Sequence, residues 1–312
     1  MKREIITRAD PKSPVSEVFR TLRTNLQYMK KNDDDCQTFI ITSTVQGEGK
    51  SFVTANLAVT FAQADKKTLI VDADMRRPRQ HNIFGIDMYP GLSNYLSGVS
   101  NTRSRHETAL EECIYKTKIE NLYLMPAGNI PPNPSELLQS HKLNSMVKEL
   151  EPNFDVIIFD GAPCLLVTDS TIIARNVDAA ILVASQGKTK IDDLKEARHR
   201  IHHVGGHIAG VVLNRVKVSK AKYGERYYYQ ANEALPALSY SKEPRRIANR
   251  TDEEKEEKRE NTSSRRNSHS ATEDKKETTT KKTSDVDINP DDITDEKIKD
   301  IIEQINKIKG NK

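Results

Sequence analysis

Residues 38–51 read TFIITSTVQGEGKS, and this stretch decides the fold. Its first part, 38–43, is an apolar run rich in β-branched side chains, which predicts a buried strand. The second part contains Gly47, Gly49 and Lys50 and leads into a helical pattern. A strand, a glycine-containing loop and a helix in this order predict a phosphate-binding loop. Small residues let backbone N–H groups close around phosphate oxygens at the N-terminus of a helix.

Similar apolar runs recur along the chain and alternate with helical patterns. The further strand-like runs are 68–73, 122–126, 155–160, 179–184 and 208–213. The helical patterns are 51–65, 135–150, 167–175 and 190–203, with another at 14–30 before the first strand. The strand-like runs show little polar alternation, so both faces of each strand should be covered, as in a parallel sheet. The order predicts an α/β fold with the doubly wound, mostly parallel sheet of a phosphate-loop NTPase.

Composition separates a folded part of the chain from a tail. The chain has 312 residues and a formal net charge of +4. Residues 241–312 contain 18 Lys/Arg and 18 Asp/Glu and no aromatic residue, so half of this stretch is charged. Most of it is therefore expected to be disordered. The expected divisions are a helical segment at 1–35, a nucleotide-binding core at 36–218, a tyrosine cluster at 219–240, a disordered tail at 241–290 and an amphipathic helix at 291–312.

Several classes of protein are excluded by composition. No apolar run approaches the roughly 20 residues of a transmembrane helix, and the N-terminus opens into no apolar region typical of a secretory signal. The three cysteines are far apart and odd in number, which favours a reduced, cytoplasmic protein over a disulfide framework or a zinc site. A net charge of +4 is too small to indicate a nucleic-acid partner.

The phosphate loop and two strand ends supply the candidate site residues. The loop residues expected to bind nucleotide are Gly47, Glu48, Gly49, Lys50, Ser51 and Phe52. Lys50 can reach the outer phosphates of ATP, and Ser51 can ligate Mg²⁺. Asp72 and Asp74 follow the second strand, and Asp160 ends the fourth. Carboxylates at these positions, beside a phosphate loop, predict contact with Mg²⁺ or with an attacking hydroxyl.

Half of the ten tyrosines fall in one short segment. They are Tyr223, Tyr227, Tyr228, Tyr229 and Tyr240. Adjacent residues of a helix point about 100° apart, so the three consecutive tyrosines cannot all be buried. On composition alone, a binding surface or linker and a set of phosphate acceptors explain the cluster equally well.

Taken in order, these motifs resemble those of the bacterial tyrosine kinases called BY-kinases, in the cytoplasmic form found in Gram-positive capsule and exopolysaccharide systems. The resemblance covers about residues 14–230. Its motifs are Glu17, Arg20 and Arg23 in an E-x-x-R-x-x-R pattern, the phosphate loop, Asp72, Asp74 and Arg76 in a D-x-D-x-R pattern, the segments GLSNYLSG (91–98) and PAGNIPPNPSELL (126–138), Asp160 with Pro163, and the tyrosine cluster. The ordered set is far more specific than any one motif.

The resemblance implies ATP-dependent phosphorylation of protein tyrosine, including the C-terminal tyrosines of the chain itself, and a role in polysaccharide synthesis and export. The implied catalytic residues are Lys50, Asp72, Asp74, Arg76 and Asp160, with Ser51, Asp74 and Asp160 holding Mg²⁺. Asp72 is expected to orient the tyrosine hydroxyl and accept its proton. Arg76 is expected to pair with phosphate or with the aspartates, and Asn214 resembles an adenine-reading asparagine.

Several partners are implied in the same way. Protomers are expected to form a ring through Glu17, Arg20 and Arg23, with each tail entering a neighbour's active site. A separate transmembrane protein of the polysaccharide co-polymerase type would activate the kinase and hold it at the inner face of the membrane. A cognate tyrosine phosphatase is also expected.

Two other functions remain open from the residues. A positioning ATPase of the partition or division-site type shares this fold but usually has an extra lysine where this chain has Val45. A scaffold that binds ATP and transfers little phosphate is the other alternative. The apolar stripe of the terminal helix, Ile298 to Ile308, fits a docking, self-associating or membrane-surface helix, or one that packs on its own domain.

Overall fold

The computed structural model describes residues 5–29, 35–98 and 108–216. The chain divides into two units, Met1–Tyr229 and Gln230–Lys312, and every described residue belongs to the first. The predicted tyrosine cluster, charged tail and terminal helix lie outside the described residues.

A seven-stranded sheet forms the centre of the described unit. Its strands are β1 (Gln37–Ser43), β2 (Thr68–Asp72), β3 (Tyr115–Lys116), β4 (Leu122–Met125), β5 (Val156–Asp160), β6 (Ala179–Ser185) and β7 (Ile208–Asn214). The strand order is β3-β4-β2-β5-β1-β6-β7. Only the β3–β4 pair is antiparallel among these strands. The predicted doubly wound, mostly parallel α/β sheet is confirmed.

Helices cover both faces of the sheet. They are α1 (Ile6–Ala9), α2 (Pro14–Gln27), α3 (Lys50–Ala62), α4 (Gln80–Phe84), α5 (Leu92–Ser97), α6 (Pro134–Leu138), α7 (His141–Leu150), α8 (Asp169–Ala174) and α9 (Ile191–His203). Two short 3₁₀ turns lie at Glu111–Cys113 and Glu151–Asn153. None of these helices has both the length and the hydropathy needed to cross a membrane.

Strand β1 is covered on both faces of the sheet. All seven of its residues are buried. Ile40 packs into the core on one face of the sheet, whereas Phe39 and Ile41 pack into the core on the other. Successive side chains of a strand point to opposite faces, so a strand covered on both sides shows no alternation of apolar and charged residues.

Four elements differ from the sequence prediction. The helix expected at 135–150 is divided into α6 and α7, and the hydroxyl of Ser140 between them donates to the carbonyl of Leu137 at 2.7 Å. Such a local hydrogen bond competes with the helical backbone pattern. Helices α4 and α5 were not predicted, because five or six residues are too few to show a helical period. The two-residue strand β3 was missed for the same reason.

The N-terminal helix α2 packs against α3. Ser13 caps its start by accepting the N–H of Ser16 at 3.1 Å. On the buried side, the rings of Phe19 and Phe52 meet edge to face, with centroids 5.9 Å apart. The packing places α2 beside the helix that follows the phosphate loop.

The sheet topology places the candidate site. Strands β2, β5 and β1 are adjacent, and the parallel register aligns Asp72 with Asp160 and Asp160 with Ile41. The carboxyl ends of these three strands therefore meet at one edge of the sheet. In this fold class, ligands bind at that edge.

Candidate active site

The phosphate loop runs from the end of β1 to the start of α3. Gly47 and Gly49 have φ of +81° and +101°. This left-handed region is unfavourable for residues with a Cβ atom. A Cβ added at Gly49 would lie 2.0 Å from Nδ2 of Asn214. The loop therefore needs glycine at position 49 for both its backbone shape and its close approach to the end of β7. Helix α3 begins at Lys50, so its N-terminus faces the loop.

The side chain of Glu48 holds this loop from behind. It is fully buried. Its carboxylate accepts the hydroxyl of Thr44 and the N–H of Val45, each at 3.0 Å, and a short hydrogen bond from the hydroxyl of Thr189. Lys188 donates to the carbonyl of Gln46 in the same loop. The segment after β6 thus braces the phosphate loop, and the Glu48 carboxylate points inward, away from a nucleotide.

Lys50 lies at the centre of a cluster of carboxylates. Its ammonium is 2.7 Å from Oδ2 of Asp74 and 3.8 Å from Oδ1 of Asp160. Asp72 is fully buried in the same cluster. Its Oδ2 accepts the N–H groups of Arg79 and Gln80, each at 2.9 Å, whereas its Oδ1 has no hydrogen-bond partner. Three acidic side chains therefore share one ammonium group.

This arrangement shifts the pKa values of Lys50, Asp72 and Asp160. Burial raises the pKa of Asp72 to about 8, and the nearby Asp160 adds to the rise. Burial also raises the pKa of Asp160, against the opposing effect of Lys50. For Lys50, burial acts to lower the pKa, but Asp160 and Asp74 outweigh it and the net shift is upward. A buried cluster with excess negative charge is suited to an added cation.

Gln80 connects the acids to the phosphate loop. Its amide nitrogen donates to Oδ2 of Asp160 at 2.7 Å and to the carbonyl of Ser51 at 3.1 Å. The side chain is fully buried. Gln80 therefore fixes the orientation of the Asp160 carboxylate beneath the start of α3.

Arg76 is bound to an acid that the sequence did not single out. Its Nε and Nη2 lie 2.8 and 3.2 Å from the two carboxylate oxygens of Asp169, which is fully buried at the start of α8. Ser135 also donates to Asp169, at 2.5 Å. The hydrogen bond with Asp169 raises the pKa of Arg76. Arg76 was expected to pair with phosphate or with Asp72 and Asp74, and in this structure its charged partner is Asp169.

A cavity of about 560 Å³ opens in front of these groups. Its lining residues are Gln46, Gly47, Gly49, Lys50, Ser51, Phe52, Asp74, Arg76, Arg77, Arg79, Ile83, Ala162, Pro163, Leu166, Val167 and Arg215. The volume falls in the range typical of small-molecule sites. The cavity combines the phosphate loop, several cations and an apolar wall.

Comparison with known proteins shows the family of this chain. A family model described as an AAA domain matches residues 37–206. The tyrosine-protein kinase YwqD of Bacillus subtilis is 36% identical over 229 residues, which cover 73% of this chain and 92% of YwqD. The tyrosine-protein kinase CpsD of Streptococcus agalactiae serotype III is 37% identical over 210 residues, covering 67% of this chain and 86% of CpsD. The chain belongs to this family of bacterial tyrosine-protein kinases.

A solved structure supports the same assignment. The chimerical protein CapA2B2 matches with a TM-score of 0.64 and 37% identity, over 70% of this chain and 92% of that one. The predicted BY-kinase resemblance is therefore confirmed, and a kinase function is favoured over that of a positioning ATPase. The shared fold and phosphate loop also indicate that the kinase binds a nucleotide, as such proteins usually do with a divalent metal.

Most of the predicted site residues of the kinase come together at the cavity. Gly47, Gly49, Lys50, Ser51 and Phe52 line it together with Asp74 and Arg76. Asp72 and Asp160 lie behind the wall, buried but in the same cluster. The amide nitrogen of Asn214 donates to the carbonyl of Glu48 at 2.9 Å, and its oxygen accepts the N–H of Arg215. Asn214 thus contributes to the loop's shape here, and its adenine contact stays a prediction.

The three residues of the expected oligomer motif divide into two groups. Glu17 and Arg20 pair with each other at 2.5 Å on the surface of α2. Arg23 turns toward α3 and donates to the carbonyl of Thr60 at 2.9 Å. Burial lowers the pKa of Arg23. Arg23 therefore supports packing within the chain, and a role for this motif between chains stays a prediction.

Sequence reasoning missed several residues that build the site. Gln80 and Asp169 make buried hydrogen bonds to predicted site residues, and Thr189 holds Glu48. Each lies in a segment far along the chain from its partner. Arg77 and Arg79 were visible in the sequence as basic residues directly after the D-x-D-x-R motif, but only the fold shows that they line the cavity.

Proposed function

We propose that this site transfers the γ-phosphoryl group of Mg-ATP to the hydroxyl of a protein tyrosine. The observation that carries the proposal is the Lys50–Asp74–Asp160 cluster beneath the phosphate loop, with the unpartnered Oδ1 of Asp72 buried beside it. The backbone N–H groups of the loop and the N-terminus of α3 hold the phosphates. Lys50 leaves Asp74 for the phosphates and stabilises the charge that develops on the transferred group.

The acids then take separate roles. When Lys50 turns to the phosphates, Asp74 and Asp160 lose their ammonium partner, and with Ser51 they are suited to hold Mg²⁺ and its water. Among the described residues, no cluster of three or more acidic, His or Cys side chains is arranged to bind a metal alone. That fits Mg²⁺, which commonly takes most of its ligands in ATP sites from phosphates and water. When bound, the metal neutralises charge on the phosphates.

Asp72 receives the proton in this proposal. The oxygen of the tyrosine hydroxyl forms a bond to the γ-phosphorus, the bond from that phosphorus to the bridging oxygen breaks, and ADP leaves. The hydroxyl proton passes to Oδ1 of Asp72. Burial raises the pKa of Asp72 to about 8 in the nucleotide-free site, so the fraction of Asp72 that is free to accept the proton increases as pH rises toward that value. Once ionised, Asp72 is a stronger base than an ordinary carboxylate and is better matched to a phenol with a pKa of about 10.

The acceptors we propose are tyrosines of the C-terminal cluster, Tyr223, Tyr227, Tyr228, Tyr229 and Tyr240. The described chain ends at Val216, directly after the cavity-lining Arg215, so the first of these tyrosines follows it closely in sequence. We also propose that protomers associate through Glu17, Arg20 and Arg23, so that one tail reaches a neighbour's cavity. The surface pair Glu17–Arg20 can exchange partners at little cost, because exposed ion pairs contribute little to stability.

The proposed setting is the inner face of the cell membrane, in capsular or extracellular polysaccharide synthesis. The solved CapA2B2 protein is chimerical, which supports the existence of a partner protein. The partner that we propose is a transmembrane protein of the polysaccharide co-polymerase type. Such a partner would activate the kinase and tether it to the membrane. A tyrosine phosphatase would reverse the modification.

The proposed function is tested by incubating the full chain with Mg-ATP and measuring phosphotyrosine by antibody and mass spectrometry. We expect labelled tyrosines in the wild type and none in Lys50→Met, since the charge on the transferred group loses its stabilisation. Lys148→Met, at an exposed position on α7, is the matched control and should retain labelling. Hydrolysis of ATP without tyrosine labelling, even with the cytoplasmic segment of a co-polymerase-type partner present, would refute a kinase role.

A further inference from the structure

Positively charged side chains outnumber acidic ones in the cavity wall. Four arginines line it, whereas Asp74 is the one acidic residue of the described chain that does so, and Asp74 is bonded to Lys50. Arg76 is neutralised by Asp169. No carboxylate of the described residues lies within ion-pair distance of Arg77. Arg77 therefore presents an exposed guanidinium at the cavity with no carboxylate partner among the described residues. Such a group is suited to bind an incoming anion.

Arg77 and Arg79, the arginine rim, are attached to the catalytic acids through their backbone. The N–H of Arg77 donates to Oδ1 of Asp74 at 3.0 Å, and the N–H of Arg79 donates to Oδ2 of Asp72 at 2.9 Å. Both side chains are exposed at the cavity. The two acids proposed to hold the metal and the acceptor hydroxyl thus also position the rim next to the point of phosphoryl transfer.

We propose that the arginine rim selects tyrosines that have an anionic side chain two residues before them in the chain, first a glutamate and then a phosphotyrosine. This inference rests on the proposed transfer at the same site. In an extended substrate, residues i and i+2 point to the same side at a distance of about 7 Å. An acceptor tyrosine and its second neighbour can therefore reach the acids and the rim together. Guanidinium groups bind phosphate oxygens in a bidentate manner, which makes a phosphotyrosine the stronger of the two anions.

This rule divides the tyrosine cluster. Tyr227 has Glu225 two residues before it, and Tyr229 has Tyr227. The residues at that position before the remaining tyrosines are Ala221 for Tyr223, Arg226 for Tyr228 and Leu238 for Tyr240. Phosphorylation of Tyr227 therefore creates the anion that selects Tyr229. Tyr223, Tyr228 and Tyr240 gain no such anion, so they are the disfavoured acceptors.

The test uses the full chain with peptides of sequence 221–231 in which one tyrosine is kept and the others are changed to phenylalanine. One pair keeps Tyr227, with Glu225 or with Glu225→Gln. The second keeps Tyr229, with position 227 either phenylalanine or phosphotyrosine. In each pair we expect kcat/KM to be about tenfold higher for the anionic peptide, the size of one charge-assisted hydrogen bond. This ratio should fall to about one in Arg77→Gln/Arg79→Gln, by loss of the guanidinium contact.

The ratio separates this inference from general effects on the enzyme. Arg175→Gln, an exposed arginine after α8, is the control and should retain the wild-type ratio. If the double variant is inactive, affinity can be measured instead of turnover. The peptide with phosphotyrosine at position 227 is labelled with a fluorophore, and its binding to the wild type and to the double variant is compared by fluorescence anisotropy. Equal rates within each wild-type pair, or an unchanged ratio and affinity in the double variant, would overturn the inference. If no peptide is phosphorylated at all, it is the proposed function that fails, whereas the anisotropy comparison still tests the rim.

Discussion

Asp72→Asn is expected to make the nucleotide-free kinase more stable and nearly inactive. Asp72 is fully buried, and its pKa is raised from 3.8 to about 8 by burial and by Asp160. Between these two values the folded chain binds a proton that the unfolded chain has released. The free energy of unfolding contributed by Asp72 therefore falls as pH rises from about 4 to about 8. Asparagine has no charge to lose and is free of this penalty.

The size of the effect follows from the same quantities. Each pH unit between 3.8 and 7 lowers the free energy of unfolding of the wild type by about 1.36 kcal/mol. The total penalty at pH 7 is therefore on the order of 4 kcal/mol. Asparagine can still accept the N–H groups of Arg79 and Gln80, but its amide nitrogen replaces an oxygen that has no partner. An unpartnered buried amide costs about 1–3 kcal/mol. A net gain of about 1–3 kcal/mol at pH 7 remains, or roughly 2–10 °C in Tm for a domain of this size.

Thermal unfolding at pH 5, 7 and 8 without nucleotide or metal measures this gain, and a peptide phosphorylation assay measures transfer. We expect the stability difference between Asp72→Asn and the wild type to grow with pH, while tyrosine transfer falls by about 100-fold or more through loss of the proton acceptor. Glu120→Gln removes an exposed carboxylate and serves as the control. A variant that is less stable than the wild type at every pH, or a difference that does not change with pH, would refute the reasoning.

Two further predictions concern the phosphate loop and the ion pair between Arg76 and Asp169. Gly49→Ala should weaken ATP binding by about tenfold or more, because the methyl group displaces Asn214 and the left-handed backbone opposes a Cβ. Gly205 has a similar left-handed φ of +82° but open space around it, so Gly205→Ala is the control and should leave ATP affinity unchanged. The ATP affinity of both variants is measured by calorimetry. Arg76→Ala should lower stability in urea by about 2–4 kcal/mol, because the buried carboxylate of Asp169 loses its counter-ion. The Arg76→Ala/Asp169→Ala double variant should recover part of that loss, and a double variant less stable than Arg76→Ala would contradict the pairing.

Most of the strands were predictable from sequence because they are covered on both faces. β1, β2, β5 and β6 are buried along their whole length, so most positions are apolar or small and the runs stand out. Helices of five or six residues carry no such signal, and α4 and α5 were missed. The break between α6 and α7 depends on a side-chain hydrogen bond of Ser140, which has no fixed sequence signature.

The sequence by itself determined which candidate site residues converge at one edge of the sheet. Gly47, Gly49, Lys50 and Ser51 are adjacent in the chain, and Asp72, Asp74 and Asp160 each follow or end an apolar strand of a parallel sheet. Parallel strands bring their carboxyl ends to one edge, so local pattern was enough to predict that these groups converge.

Only the tertiary structure decided what holds and surrounds those groups. The Arg76–Asp169 pair spans 93 positions in the chain, the Gln80–Asp160 bond spans 80, and the bond from Thr189 to Glu48 spans 141. Such contacts depend on where separate helices and loops pack against the sheet, and packing leaves no local trace in composition or period. The tertiary structure likewise turned Glu48 inward. It placed Arg77 and Arg79 at the cavity, because their backbone N–H groups donate to the carboxylates of Asp74 and Asp72.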